Sequence, residues 1–203
     1  MQKPHGYEEA QVMGEYTPVE LGGHYATVLQ VTETQSSTGK DMIVVVFDLA
    51  KQDKQPGRFR AQFDNDDRND KKWPYAGTMY IMVNDYQDAS KTSRNFKTFC
   101  TAVEHSNNMQ IAWGGNDWAK QFKGKKVGVV YGEVETEYNG EVKMRRNPRW
   151  FCSWDKVADT QVPNPKYLNG SGPAAPASES APAQASPDGF LNVPEGADDE
   201  IPF

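Results

Sequence analysis

Rings and cations interleave in three stretches of this sequence, and that mixture suits a sequence-tolerant grip on single-stranded nucleic acid. Aromatic faces stack on bases, at roughly 1–3 kcal/mol per base, while Lys and Arg meet the phosphates. The first stretch is Arg58-Phe59-Arg60 with Phe63. Read as an extended strand it turns its cations one way and its rings the other, so Arg58 and Arg60 are candidate phosphate contacts and Phe59 and Phe63 belong to the core. The second is Lys71-Lys72-Trp73-Pro74-Tyr75, followed by Tyr80 and Tyr86. No strand period calls for large rings in that loop-rich region, which makes Trp73, Tyr75, Tyr80 and Tyr86 candidate stacking residues beside Lys71 and Lys72. In the third, Lys143, Arg145 and Arg149 alternate on one strand face and Arg146 and Trp150 on the other, with Lys125 extending the stripe. A solvated charged face is the competing reading of this last group.

Other chemistries find little support. Asp64, Asp66, Asp67 and Asp70 have the density of a calcium loop, but Arg68 stands at the fifth loop position and Asn69 where glycine is needed. No Walker loop, His-Glu-x-x-His helix or nucleophile elbow occurs, and His5, His24 and His105 sit near no catalytic signature. Neither enzymatic activity, a metal nor another cofactor is expected. Cys100 and Cys152 fit no disulfide framework or metal-ligand spacing and read as reduced thiols. The longest apolar run, Met42 to Phe47, is far too short to span a bilayer, and Met1 is followed by polar sequence instead of a signal peptide. The expectation is a cytoplasmic protein with no membrane partner.

The elements that must position these residues can be read from periodicity. Gly23 to Gln35 alternates as a strand, with Tyr25, Thr27, Leu29 and Val31 on one face and His24, Ala26, Val28 and Gln30 on the other. Asp41 to Ala50 is continuously apolar, as a strand buried on both faces would be. Arg58 to Phe63 completes a three-strand meander, and Thr78 to Val83 offers a short extra strand. From about Asp88 to His105 the period changes: Phe96, Phe99, Cys100 and Val103 mark one face of a helix that Asn107 and Asn108 stop. Lys125 to Tyr138 and Glu141 to Trp154 form a hairpin about Asn139-Gly140. Three strands, a helix and two strands predict an all-β fold, the five-stranded oligonucleotide-binding (OB) barrel with one helix between strands 3 and 4.

The charge is unevenly spread. The net charge of -6 equals the six acids of residues 169–203, a segment without Lys or Arg, so the remainder of the chain is neutral and can carry a basic stripe. Between Gly170 and Pro187 only Glu179 and Gln184 are not Pro, Ala, Ser or Gly, a composition too poor in apolar surface to repay ordering. The predicted organisation is a folded domain at 1–168, a disordered linker at 169–197 and an acidic tip at 198–203.

That tip, Asp198-Asp199-Glu200-Ile201-Pro202-Phe203, resembles the acidic C-terminal tip of bacterial single-stranded DNA-binding proteins, with Glu200 replacing a more usual Asp. The resemblance implies that the terminal Phe and its carboxylate dock on replication, recombination and repair proteins while the acids add electrostatic attraction. The body resembles a different group, the single-stranded DNA-binding proteins of bacteriophages of Gram-positive hosts. Residues 7–157 carry that likeness through Gly22-Gly23-His24-Tyr25, Phe47-Asp48, the run from Phe63 to Pro74, the helix from Phe96 to Asn107, and Phe122 to Gly128. It implies a protein of the host cytoplasm that coats single-stranded DNA in phage replication, recombination or repair and recruits host or phage partners through its tip. The alternative is a recombination adaptor that binds replication proteins without DNA affinity of its own. An OB barrel acts alone or assembles as a homo-oligomer through exposed strand edges, and the sequence leaves that choice open.

Overall fold

The computed structural model describes residues 3–5, 7, 17–115, 117–138 and 140–168. The linker and tip expected at 169–197 and 198–203 lie outside the described residues. Alternating β-branched and aromatic residues build five strands: β1 Gly22–Gln35, β2 Asp41–Leu49, β3 Thr78–Met82, β4 Lys126–Tyr138 and β5 Glu141–Cys152. Two helices, α1 Arg58–Asp64 and α2 Arg94–Asn107, interrupt them. The strands make one antiparallel sheet in the order β3-β2-β1-β4-β5. No ladder joins β3 to β5 among the described residues, so the sheet is open along that seam. It nevertheless curls far enough for Phe47 of β2 and Phe151 of β5 to meet at 5.6 Å, and Phe59, Phe99 and Phe122 complete an aromatic centre. No helix among the described residues is long and apolar enough to cross a membrane.

Arg58–Phe63, expected as the third strand, is a helix. Phe59 and Phe63 stand four apart, a spacing compatible with both the strand and the helix period, so the deciding signals lie elsewhere. Gly57 takes the left-handed conformation (φ 64°) at the helix start. From β2, Asp48 accepts the N–H of Phe59 at 2.9 Å and that of Arg60 at 3.3 Å. The first N–H groups of a helix have no partner within it, and this carboxylate supplies one from across the turn. Phe59 is then driven fully into the core, edge-on to Phe47. The third strand is Thr78–Met82, and the element order is two strands, a helix, a strand, a helix and two strands.

Strand faces also differ from the expectation. β2 is not buried on both sides: Ile43, Val45 and Phe47 enter the core while Met42, Val44 and Val46 stay half-exposed. A bulge between Val28 and Gln30 shifts β1 by one, so Val31 joins His24, Ala26 and Val28 on the core face instead of following Tyr25. A second bulge in β5 pairs Trp150 with Val130 but Pro148 with Tyr131, leaving Arg149 as the extra residue. Trp150 therefore shares the face of Arg145 and Lys143, not that of Arg146. Helix α2 starts later than predicted, because the Ser93 hydroxyl, not a group near Asp88, accepts the N–H of Phe96 at 3.2 Å.

β5 ends at Cys152, two residues short of the expected Trp154, and residues 153–168 form a strap over the outer face of β1, β4 and β5. Glycines make the room for it. A Cβ at Gly23 would lie 2.2 Å from the Val157 carbonyl oxygen, one at Gly128 would lie 2.6 Å from Val157 Cγ2, and one at Gly132 would lie 2.6 Å from Pro163 Cγ. Beyond β1 the strap becomes a short parallel partner of β4, with Lys166 bonded on both sides to Glu133 and Glu135. A Gly23→Ala substitution is expected to cost about 3 kcal/mol, since backbone must move, and Gly132→Ala less because a ring edge and an Arg stem can give way. Urea titrations of the two variants test the ranking.

The other face is fixed by a buried polar cluster. His24, with no exposed surface, bonds through Nδ1 to Asp53 Oδ1 at 2.9 Å and through Nε2 to the Glu20 carbonyl at 2.9 Å. Asp53 also accepts the N–H groups of Tyr25 at 2.8 Å and Gln55 at 2.9 Å. Burial alone would raise this carboxyl, but the hydrogen bonds from His24 and Gln55, the His24 charge and the Tyr25 amide outweigh burial and hold it below its usual range. For Asp48 the balance is reversed: burial prevails over its backbone bonds and the nearby Arg60 and raises the carboxyl. Asp53→Asn should destabilise the fold by about 3 kcal/mol at neutral pH, the cost of leaving half of a buried pair. A depressed carboxyl pKa contributes stability above about 3.9 that is lost as pH falls through the folded value. The gap between variant and parent should therefore narrow in acid, and urea titrations at the two pH extremes would reveal it; an unchanged gap contradicts the assignment.

Candidate functional site

The residues β2 turns away from the core define the outer face of the β1-β2-β3 half of the sheet. Residues in register across antiparallel strands point the same way, so Thr32, Val44 and Tyr80 form one row. Gln30, Val46 and Thr78 form the next, and Thr34, Met42 and Met82 the third. Tyr80, 46% exposed, stands in the middle, and Tyr75 stacks on it with ring centroids 6.3 Å apart and planes inclined by 28°. A single turn of 3-10 helix, Tyr75–Gly77, carries Tyr75 over β3. The Tyr131 hydroxyl pins that turn by donating to the Ala76 carbonyl at 2.5 Å.

Both ends of this face carry polar or cationic groups. Towards the β1–β2 turn, Lys40 Nζ lies 3.7 Å from the centre of the Tyr86 ring and donates to the Tyr86 carbonyl at 3.2 Å. Tyr86 itself is 63% exposed. Across the open seam, Asn147 and Pro148 of β5 join Tyr75, Thr78, Met79 and Tyr80 around a cleft of about 60 Å³. From Asn147 the same face of β5 continues through Arg145 to Lys143. Arg145 is exposed and in no ion pair among the described residues, whereas Lys143 is paired with Glu141.

Several predicted contacts have structural work instead. The Trp73 indole N–H is shared between the carbonyls of Phe47 and Gly77, each at 3.2 Å, and its ring packs on Phe63 and the core. A Cβ at Gly77 would collide with Trp73 Nε1 and the Phe59 ring, so the glycine keeps the indole's seat. Arg60 reaches over the Trp73 ring at 5.2 Å and Lys71 over Phe63 at 4.9 Å, a second, smaller patch of rings and cations; Lys72 is exposed beside it. Next to it Asp66 is locked by Arg68 hydrogen bonds, which hold its carboxyl at about 2. Arg58 donates to the Thr17 carbonyl and Arg146 to that of Val19 at 2.9 Å, so both tie down the segment before β1. Arg149 leans on Gly132 and points to the Glu133 carbonyl, and Trp150 is half-buried on the face the strap covers. Lys125 lies at the start of β4, across β1 from the tyrosines, with its carbonyl accepting from Val28.

The sheet thus brings Tyr75, Tyr80, Tyr86 and Arg145 onto one surface and adds Lys40, Val44 and Asn147, which the sequence reading did not select. The tip residues Asp198 to Phe203 lie outside the described residues. The chain matches no model of a known protein family, and no curated protein matches its sequence.

The Tyr75 hydroxyl is held above the usual phenol range, first by burial and then by the neighbouring Tyr80. Replacing Tyr80 with Phe should lower that midpoint part of the way and leave thermal stability unchanged, because the hydroxyl removed makes no hydrogen bond among the described residues and the ring stays. Trp73→Ala, by contrast, should cost about 3 kcal/mol through lost packing. Ultraviolet difference titration of the phenols and thermal melts separate the two behaviours.

Proposed function

We propose that this protein binds single-stranded DNA across the outer face of β1, β2 and β3, as a phage-type coating protein of replication, recombination and repair. The observation that carries the reading is the Tyr75–Tyr80 stack, two half-exposed rings, one on β3 and one on the turn before it, with Lys40 towards the β1–β2 turn and exposed Arg145 two residues from Asn147 on β5 across the seam. Rings held on a strand and on a pinned turn keep their orientation without a ligand, so stacking a base on them orders little further protein, and the flanking cations sit where a backbone leaving the rings would pass. Asn147 offers an amide donor and acceptor beside the rings, at the cleft edge.

In this reading the fold is an OB barrel parted along one seam. The order β3-β2-β1-β4-β5 is that of the five-stranded barrel cut between its third and fifth strands, and the tyrosine face corresponds to the strand 2–3 surface that such barrels use for oligonucleotides. Lys40 belongs to the β1–β2 turn and Lys143 to the β4–β5 hairpin, the two loops that flank that surface. The acidic residues Asp198 to Phe203 serve in the same proposal as a recruiting segment for replication and recombination proteins, with no part in gripping DNA. No enzymatic step is assigned.

Fluorescence anisotropy with a labelled oligothymidylate and a matched duplex tests the proposal. Single strands should bind far more tightly, with affinity falling as salt rises, and Tyr80→Ala or Tyr75→Ala should each weaken binding about tenfold. Equal affinity for both forms, or none for either, would sink it, and partner binding without DNA affinity would favour the adaptor reading.

A further inference from the structure

Trp113 is the one tryptophan of the five that is more than half exposed, at 64%. A ring of that size left open to water is expensive in apolar surface, and nothing in the core requires it there. It is also well supported. Trp113 stacks on Trp118 at 5.9 Å and 28°, and Trp118 stacks in turn on Phe96 at 5.9 Å and 23°. The loop behind it is pinned: Ile111 N–H donates to Glu104 Oε1 at 2.9 Å, and the Gln121 amide exchanges hydrogen bonds with both backbone groups of Ala112. After Trp113 the chain turns away through Gly114 and Gly115, at φ 88° and 85°, conformations that side-chain-bearing residues avoid. The result is a ring backed by two further rings and fixed from one side only.

The helical turn that supports it carries cations. Phe96 lies in the first turn of α2, where Arg94 and Lys97 are exposed and in no ion pair among the described residues. The Trp118 indole N–H is buried and has no acceptor among the described residues. The position is continuous with the tyrosine face. Asn84 bridges Thr92, and Ser93 N–H donates to the Val83 carbonyl at 2.9 Å, so the small hairpin that carries Tyr86 leads directly into the start of α2.

We infer that Trp113, with Arg94 and Lys97, forms a second base-stacking platform, which takes the strand of DNA after it leaves the Tyr75–Tyr80 face past Tyr86. The inference rests on the single-strand reading above and adds a length to it: a short oligonucleotide fills the tyrosine face alone, and a longer one reaches Trp113. Exposed single rings also dock proteins, but two exposed cations on the helical turn that supports the ring favour a polyanion.

The test compares oligothymidylates of about 6 and about 20 nucleotides, bracketing the roughly 4–16 that one OB unit covers. Trp113→Ala should weaken the long oligonucleotide about tenfold and leave the short one unchanged, with loss of part of the tryptophan quenching. Arg94→Ala with Lys97→Ala, which leaves the stack intact, should lower the salt slope on the long strand by about 1.4, at about 0.7 per phosphate. Parental affinity for the long strand in both variants, or an equal loss on both lengths, overturns the platform while the tyrosine face stands. Loss of a protein contact with long-strand binding intact would likewise overturn it and assign the ring to a protein. A parent protein that binds neither length overturns the single-strand reading itself.

Discussion

The bond between His24 and Asp53 is the point on which the described fold turns. A histidine with no exposed surface and a carboxylate nearly as buried are tolerable in a core only when their polar atoms have partners, and here both ring nitrogens and both carboxylate oxygens do. Meeting that requirement brings together the carbonyl of Glu20, the second residue of β1 after its paired glycines, and the turn after β2. The turn then has one way to leave the cluster, through Gln55 and Gly57 into α1. Asp48 repeats the device a few residues earlier by capping that helix from the sheet. Two acids at the end of β2 thereby decide how the chain crosses to β3, and where Tyr75 and Tyr80 come to stand.

Periodicity reached the long elements. β1, β2, the β4–β5 hairpin and the apolar face of α2 stand where alternation or i, i+3, i+4 spacing puts them, because each buries one face against a common core. It failed where the deciding contact is distant in sequence. Arg58 to Phe63 carries an alternating pattern, yet its partner is a carboxylate on β2, and no local window contains that information. The bulges in β1 and β5 are single-residue shifts that leave composition unchanged while reversing which side chains share a face. The strap is apolar only at intervals and is accommodated by glycines in three different places along β1 and β4; its trace in the sequence is those glycines, interrupting strands that would otherwise be β-branched.

The candidate site was legible by residue type and illegible by role. Cations and rings do interleave, but an Arg in a sequence does not announce whether it faces a solvent anion or a carbonyl of its own chain. Arg58 and Arg146 are spent on Thr17 and Val19, and Trp73, the most distinctive ring of the sequence, is held by two carbonyls. Tyr75 and Tyr80 remain because their partners are each other. Trp113 escaped notice for the opposite reason: it stands apart from any cluster of cations in the sequence, and only the fold sets its ring on Phe96, on the helical turn that carries Arg94 and Lys97.

The open seam between β3 and β5 has a mechanical meaning. Among the described residues no backbone ladder spans it, so its two lips meet through side-chain packing, and the Tyr131 hydroxyl of β4 holds the turn before β3 at the Ala76 carbonyl. Sheets are stiff along their ladders, and a sheet bent round until its edges nearly touch behaves as a split ring, compliant only at the gap. Whatever enters between the tyrosines and Asn147 can spread the ring by straining contacts worth about 0.1–0.2 kcal/mol per atom pair, without breaking a strand pairing. The surface with the least rigid backing is thus the one that carries the rings, and its width can follow its guest.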